Sequence, residues 1–232
     1  MLDSHLHRAW NEISYRISII TLDSHNARPC ERALSNLVQD FKGLEVSIFA
    51  AAEWGENPSA LEEAKAAIEK SDIIIVNLLF LEDHIKPILP LLKGRRDDCD
   101  AMICVVCDAE LVKLTRMGSL DMQAPESGAL ALLKKLRGSS KPSSETGEKK
   151  MRMLRRLPKI LKYIPGKAQD LRAWFLVMQY WLGGTDDNIE AMLRFLISRY
   201  SHVDSWQGVS AEPPREYPNV GVYHPSCLLY TS

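Results

Sequence analysis

The 232-residue chain lacks the features that mark several large classes of protein. No uninterrupted apolar run approaches the roughly 20 residues that a membrane-spanning helix needs. The first residues, MLDSHLHRAWNEISYR, contain no apolar signal core. We therefore expect a cytoplasmic protein without a transmembrane segment.

Cysteine is scarce, with five residues in the whole chain. Cys104 and Cys107 form a CVVC string, a spacing that can serve zinc or redox chemistry. The string lies in the apolar run AMICVVCD, which is typical of a strand, and residues three apart in a strand point to opposite faces. We therefore predict that the two sulfurs diverge and that both thiols are buried and structural.

Phosphate-binding glycine loops are absent too. The turn DSHNARP after the first predicted strand contains neither GxGxxG nor GxxxxGK[ST]. No group of Glu, Asp and His occurs at metal-ligand spacing. We therefore assign no catalytic residue and no metal ligand, and we expect ATP, if it is used, to be handled by another chain.

The chain does contain a regular alternation of strand and helix signals. Strands are predicted at 15–22, 44–49, 72–80 and 101–107, and helices at 31–41, 59–70, 82–92 and directly after Asp108. Such an alternation indicates parallel pairing through right-handed crossovers. The predicted fold class is α/β, a doubly wound, mainly parallel, flavodoxin-like sheet followed by an α-helical extension.

A ligand crevice in such a sheet lies at the carboxyl ends of the strands. The polar residues at these strand ends are Asp23, Ser24, His25, Asn77 and Asp108. The first four are candidate substrate-binding residues, although caps and turns are the common role of polar residues after strands.

The helical extension is predicted from KAQDLRAWFLVMQYWLGG, in which six apolar residues share one face: Leu171, Trp174, Phe175, Met178, Trp181 and Leu182. Gly183 and Gly184 end this helix. Asp187 with Glu190 forms a variant capping box that opens the next helix. The apolar face of that next helix comprises Ile189, Met192, Leu193, Leu196 and Tyr200. Both faces are predicted to be core; the alternative is that the Trp and Met side chains stack on a macrocycle.

A basic segment separates the two parts. Residues 134–167 contain twelve Lys or Arg and two Glu, a local charge of +10 that leaves about −11 for the remainder. Arg152, Arg155 and Arg156 are candidate contacts for a partner protein or an anion, although such a segment can also be a solvated face. No aromatic platform for bases accompanies them, so we expect no nucleic-acid partner.

The predicted organisation has six parts: an N-terminal extension at 1–14, a flavodoxin-like domain at 15–137, a mobile basic linker at 138–150, a helical region at 151–205, a connector at 206–226 and a foreign tail at 227–232. The tail CLLYTS matches the translation of a common sequencing-library transposon end, so we interpret it as an artefact. We expect the natural protein to continue past Pro225. His224 in YHP would then join a site completed by later residues.

Several stretches together resemble the large (H) subunits of magnesium chelatases of the bacteriochlorophyll type. They are ITLDSH, AAAEWGENP, IIIVNLLFLEDHI, RRDDCDAMI, VKLTRMGSLDM, LLKKLRGSSKPSS, GVYHP and, most specifically, the run MLRRLPKILKYIPGKAQDLRAWFLVMQYWLGGTDDN. The resemblance runs from about residue 15 to 225. Cobalt chelatase large subunits share the GG-x-x-x-N and YHP neighbourhoods more loosely and are the alternative.

The resemblance implies a porphyrin-binding subunit of an ATP-dependent, three-subunit enzyme of photosynthesis. This enzyme inserts Mg²⁺ into protoporphyrin IX for (bacterio)chlorophyll biosynthesis, and its AAA+ motor subunits of I and D type hydrolyse ATP. Mg²⁺ and protoporphyrin IX are then substrates, and no cofactor is assigned to this fragment, which we expect to be inactive alone. The other alternative is a non-catalytic tetrapyrrole-binding or partner-docking module.

Overall fold

The computed structural model describes residues 14–22, 27–124, 157–159, 161–163, 166–215, 222–224 and 227–230. The strands are β1 Tyr15–Thr21, β2 Leu44–Ala50, β3 Ile73–Asn77, β4 Ala101–Val105, β5 Arg116–Met117, β6 Leu120–Asp121, β7 Val222–His224 and β8 Cys227–Tyr230. The helices are α1 Ala27–Asp40, α2 Pro58–Lys70, α3 Glu82–Ile85, α4 Leu89–Arg95, α5 Ala109–Val112, α6 Lys167–Gly183 and α7 Asp186–Tyr200.

The main sheet has six strands in the order β2-β1-β3-β4-β5-β6. The first four are parallel, while β5 and β6 add antiparallel to the edge. The order 2-1-3-4 is that of flavodoxin-like sheets, so the predicted fold class is confirmed. The strands β7 and β8 pair antiparallel in a separate sheet.

Each face of the main sheet packs on its own helical layer. Ile17, Ile75 and Ile103 belong to a core that also includes residues of α1, α6 and α7. The alternate residues, such as Ile74 and Met102, belong to a second core with residues of α2 and α4. Because side chains alternate along a strand, the apolar run of β3 fills both layers, which is typical of a strand that is buried on both faces.

The helix α6 is buried almost all round. Its buried set includes Ala173, Leu176, Val177 and Tyr180 in addition to the predicted stripe. Leu182 was predicted to belong to that stripe and is instead 50% exposed. A helix that is buried almost all round is typical of an internal position, and α6 contacts both α7 and the strands β4 and β6.

Several predicted boundaries were wrong for identifiable reasons. The predicted helix at 82–92 is two helices, α3 and α4, and Pro87 lies between them, where a ring without an N–H disfavours helix. The helix α7 is capped by Thr185, whose hydroxyl accepts from the Asn188 N–H at 3.4 Å, and Asp187 is not the cap. The β5–β6 hairpin was not predicted.

Candidate functional site

The strongest candidate site lies where β1 and β3 end. The chain runs from β1 to β2 on one side and then crosses back to β3 on the other, so the sheet changes direction between β1 and β3. Ligands of doubly wound folds bind at such a switch point. Ile20 of β1 pairs with Val76 of β3, which places the next residues, Thr21 and Asn77, side by side.

These two residues carry unmet hydrogen-bonding capacity. Thr21 is 1% exposed and Asn77 is 0% exposed. The Thr21 Oγ1 and both polar atoms of the Asn77 side chain are buried and have no hydrogen-bond partner among the residues that the structure describes. A buried polar group without a partner costs on the order of 1–3 kcal/mol, so the fold maintains an unfavourable arrangement here.

Both side chains lie in the layer between the sheet and α1, α6 and α7. They continue the alternating rows of Ile17 and Ile19 on β1 and of Ile73 and Ile75 on β3, which belong to that core. The helix α1, which follows β1 in the chain, begins at Ala27 and therefore starts at this edge, where its dipole favours an anionic group. The layer thus combines two hydrogen-bonding side chains with a helix N-terminus.

The backbone at this edge is strained. Leu78 follows β3 with φ 56° and Val106 follows β4 with φ 51°, a left-handed conformation that costs L residues about 1–3 kcal/mol. Two backbone hydrogen bonds hold the loops together: the Leu78 N–H donates to the Val106 carbonyl at 2.9 Å, and the Asp108 N–H donates to the Leu79 carbonyl at 2.8 Å. Leu78 also ends β3 three residues earlier than the sequence predicted.

The left-handed turn at Val106 overturns the prediction about the two cysteines. Cys107 lies after the strand has ended, and its side chain meets that of Cys104 instead of diverging from it. The pKa of the buried Cys104 thiol is well above its usual value, because the Cys107 side chain hydrogen-bonds to it and because burial disfavours the thiolate. The prediction that both thiols are buried is confirmed for Cys104 and wrong for Cys107, which is only partly buried.

The apolar face of α6 packs against the sheet near this edge. Trp174 is 4% exposed, and its Nε1 donates to the Cys104 carbonyl at 3.0 Å, near the end of β4. Its ring contacts Phe175 edge to face, with centroids 5.0 Å apart. These side chains are core residues, as the sequence analysis favoured, and in this arrangement they offer no open face to a macrocycle.

Six of the other predicted site residues lie outside the described part of the chain: Asp23, Ser24, His25, Arg152, Arg155 and Arg156. His224 lies in β7, but its side chain is not described. Of the predicted set, the structure places Asn77 at the switch point. Thr21 was missed, and the available signal was a hydroxyl at the end of an apolar strand.

Metal clusters and membrane spans are both absent from the described part of the chain. No three or more His, Cys, Asp or Glu side chains there are grouped so that they could hold a metal ion. None of the helices there is both long enough and apolar enough to cross a lipid bilayer.

The sequence of this chain is similar to one family model and to the sequences of magnesium-chelatase H subunits. The family described as "Domain of unknown function (DUF3479)" matches residues 16–175. The chain is 58% identical over 212 residues to a magnesium-chelatase H subunit of Cereibacter sphaeroides, covering 91% of this chain and 18% of that protein. The corresponding H subunit of Rhodobacter capsulatus is 55% identical over 211 residues, with the same two coverages. That of Chlorobaculum parvum is 28% identical over 218 residues, or 92% of this chain and 16% of that protein. The chain thus spans less than a fifth of the length of these relatives.

Proposed function

The chain belongs to the family described as "Domain of unknown function (DUF3479)", and from this premise we propose that it acts as part of the porphyrin-handling H subunit of an ATP-dependent magnesium chelatase. The observation that carries the proposal is the 58% identity to a magnesium-chelatase H subunit over 91% of the chain. The enzyme would insert Mg²⁺ into protoporphyrin IX in (bacterio)chlorophyll biosynthesis.

The chemistry explains why such a subunit would need partners. Mg²⁺ prefers oxygen ligands and gives up its water reluctantly, and its entry into four ring nitrogens requires the loss of two pyrrole protons. AAA+ motor subunits of I and D type would hydrolyse ATP to drive this step. We assign no catalytic residue to the present chain, and we expect it to be inactive alone, with the remainder of the subunit supplying the base and the metal ligands.

The contribution proposed for this chain is to hold part of the tetrapyrrole. Thr21 and Asn77 would donate hydrogen bonds to a propionate at the N-terminus of α1, together with Ser24 and His25. Asp23, whose carboxylate can only accept, would bind a hydrogen-bond donor of the substrate. The unpaired buried atoms of Thr21 and Asn77 support this assignment. Arg152, Arg155 and Arg156 would be the cationic partners of the second propionate. His224 would contact the substrate at a site shared with the rest of the subunit.

A chimeric subunit tests the proposed enzyme. Residues 15–225 of this chain would replace the matching region of the Cereibacter sphaeroides H subunit, and Mg²⁺ insertion into deuteroporphyrin would be followed by fluorescence with motor subunits and ATP. The same graft from the Rhodobacter capsulatus protein serves as the matched control. We expect both chimeras to insert Mg²⁺. A folded chimera of this chain that is inactive beside an active control would contradict the proposal.

A titration of the 232-residue chain with deuteroporphyrin tests the tetrapyrrole site separately. We expect a shift of the Soret band, with weaker affinity after Asn77→Leu and after joint replacement of Arg152, Arg155 and Arg156 by Gln. Absence of any Soret shift would remove tetrapyrrole binding from this chain but would leave the chimera result unaffected.

A further inference from the structure

The loop after β3 presents two large apolar side chains to solvent. Phe80 is 56% exposed and Leu81 is 61% exposed, while their neighbour Leu79 is fully buried. The loop backbone is tied at both ends. The Leu79 carbonyl accepts from Asp108, and the Leu81 carbonyl accepts from the N–H groups of His84 and Ile85 at 3.0 and 3.1 Å. Contiguous exposed apolar side chains, unlike single scattered ones, mark a candidate contact surface.

Two aromatic rings place a second segment beside this pair. Trp54 lies just after the 3-10 turn Ala51–Glu53, and its ring meets that of His84 edge to face, with centroids 6.4 Å apart. The Trp54 Nε1 and the His84 Nδ1 are buried and have no hydrogen-bond partner among the described residues. The segment of the 3-10 turn therefore lies beside α3, the helix that directly follows Phe80 and Leu81.

The charges on this surface are mainly negative. Glu53 and Glu56 lie on either side of Trp54 in the chain, and Glu82 and Asp83 form the first turn of α3. All four are exposed, and the nearby Lys86 pairs with Glu82. We call the surface formed by Phe80, Leu81 and these four acids the acidic apolar edge.

We propose that the acidic apolar edge docks a basic segment of another polypeptide, whose apolar side chain covers Phe80 and Leu81 while its Lys or Arg side chains pair with the four acids. Apolar anchors within a rim of complementary charge are the usual composition of a specific protein contact. This inference goes beyond the proposed function, since no step of that function requires a contact at this surface.

The charges argue against a tetrapyrrole and against a twofold contact between copies of this chain. A tetrapyrrole carries carboxylates, which the four acids would repel. A second copy of this chain docked about a twofold axis would bring the same acidic surface against itself.

The acidic apolar edge lies on the α2 and α4 side of the sheet, since Trp54, Leu79 and Ile85 belong to that core. Thr21 and Asn77 face the other layer. A test here is therefore independent of the tetrapyrrole site.

The experiment uses a fluorescein-labelled amphipathic Leu/Lys helix of about 14 residues, or four turns, as the probe. Its binding to the 232-residue chain would be measured by fluorescence anisotropy. We expect saturable binding that weakens with added NaCl, because the rim contacts are between exposed charges. Joint substitution of Phe80 and Leu81 by Ala should weaken binding by about tenfold or more, and so should joint substitution of Glu82 and Asp83 by Lys.

Two control variants match these changes at other places. Leu182→Ala removes a leucine that is 50% exposed at the end of α6, and Glu69→Lys reverses an exposed acid in the last turn of α2. Both should leave the affinity unchanged. Thermal unfolding monitored by circular dichroism verifies that each variant is folded, and Leu81→Ala alone replaces the double variant if that one unfolds.

Three outcomes would overturn the inference. The first is probe binding that is insensitive to Phe80 and Leu81. The second is equal binding of a Leu/Glu helix of the same length, which would remove the charge complementarity. The third is displacement of the probe by deuteroporphyrin with the same dependence on Leu81, which would assign this surface to the ring.

Discussion

Two buried asparagines show how differently the same side chain can be used. Asn77 is 0% exposed and its amide has no hydrogen-bond partner among the described residues. Asn188 is 1% exposed, donates to the Arg215 carbonyl at 3.1 Å and accepts from the Arg215 N–H at 2.9 Å. The first amide makes no hydrogen bond that explains its burial, whereas the second fixes the segment after α7 to the first turn of that helix.

The contrast predicts opposite effects of the same substitution. Asn77→Leu should raise the free energy of unfolding by about 1 kcal/mol, because an unpaired buried amide is replaced by an apolar group of similar size. Asn188→Leu should lower it by about 2 kcal/mol, because two backbone groups lose their partners. Urea denaturation of both variants measures these values. A loss of stability in Asn77→Leu comparable to that in Asn188→Leu would show that Asn77 has a structural role.

Asp170 is predicted to make stability depend on pH. Burial disfavours its ionisation, but hydrogen bonds from the Ser119 side chain and backbone, Arg199 and Tyr200 outweigh burial and hold its pKa below the usual value. Because the folded-state pKa is depressed, the ionised group stabilises the fold above the unfolded pKa of about 4, and this stabilisation is lost as pH falls further.

Asp170→Asn should therefore cost about 2 kcal/mol at pH 7, and the difference from the wild-type chain should shrink below about pH 4. Unfolding in urea from about pH 2.5 to 7, chosen to bracket the carboxyl range, measures both quantities. Asp98→Asn, at an exposed position, is the control and should change stability by less than about 0.5 kcal/mol. A constant difference over the whole pH range would contradict the assigned role.

At the scale of elements, glycine marks the corner between α6 and α7. Gly184 has φ 59°, and its N–H donates to the carbonyls of Tyr180 and Trp181 at 3.4 and 3.1 Å. Gly184→Ala should lower the free energy of unfolding by about 1–2 kcal/mol, since a Cβ is strained in this conformation. Gly94→Ala within α4 is the matched control, because a Cβ there meets nothing within 4 Å. It should be neutral or stabilising by up to about 1 kcal/mol, and thermal unfolding distinguishes the two variants.

The elements that the sequence predicted are those with a sustained pattern. The apolar runs of β1, β3 and β4 and the spacing of apolar residues in α6 and α7 were sufficient to predict these elements. Burial of one face gives the apolar residues a regular period along an element. The hairpin of β5 and β6 was missed because strands of two residues carry no period. The ends of β3 and β4 were misplaced because Leu78 and Val106, which are not glycines, adopt the left-handed conformation.

The candidate site could be predicted only in part for a related reason. Strand ends located Asn77, since the carboxyl edge follows from the alternation of strands and helices. Thr21 and the exposed pair Phe80 and Leu81 were missed, because exposure and missing hydrogen-bond partners depend on how layers pack. The contact between Cys104 and Cys107 likewise depends on the left-handed turn at Val106, which no pattern in the sequence predicts.

At the scale of the whole molecule, the sheet and the helical extension share one core. Side chains of β1, β3 and β4 belong to the same buried cluster as those of α6 and α7. Contacts between α1 and α7 add to this: Asn36 donates to Glu190 at 2.8 Å, and Arg194 pairs with Asp40 at 2.6 Å. The division at 137 and 151 stays a prediction of chain organisation, but the packing makes the stability of each part depend on the other.

This shared core predicts one cooperative unfolding transition. Exposure of a large buried apolar side chain to water lowers the free energy of unfolding by roughly 1.5–3 kcal/mol. Removal of α6 and α7 would expose several such side chains. The total loss is comparable to the roughly 5–15 kcal/mol that stabilises a typical domain. Far-UV circular dichroism and tryptophan fluorescence should therefore give coincident urea transitions for the 232-residue chain, while a chain ending at residue 137 should lack a sigmoidal transition and bind an apolar dye. A truncated chain that unfolds cooperatively at the same midpoint would show instead that the sheet with α1 to α5 is stable without α6 and α7.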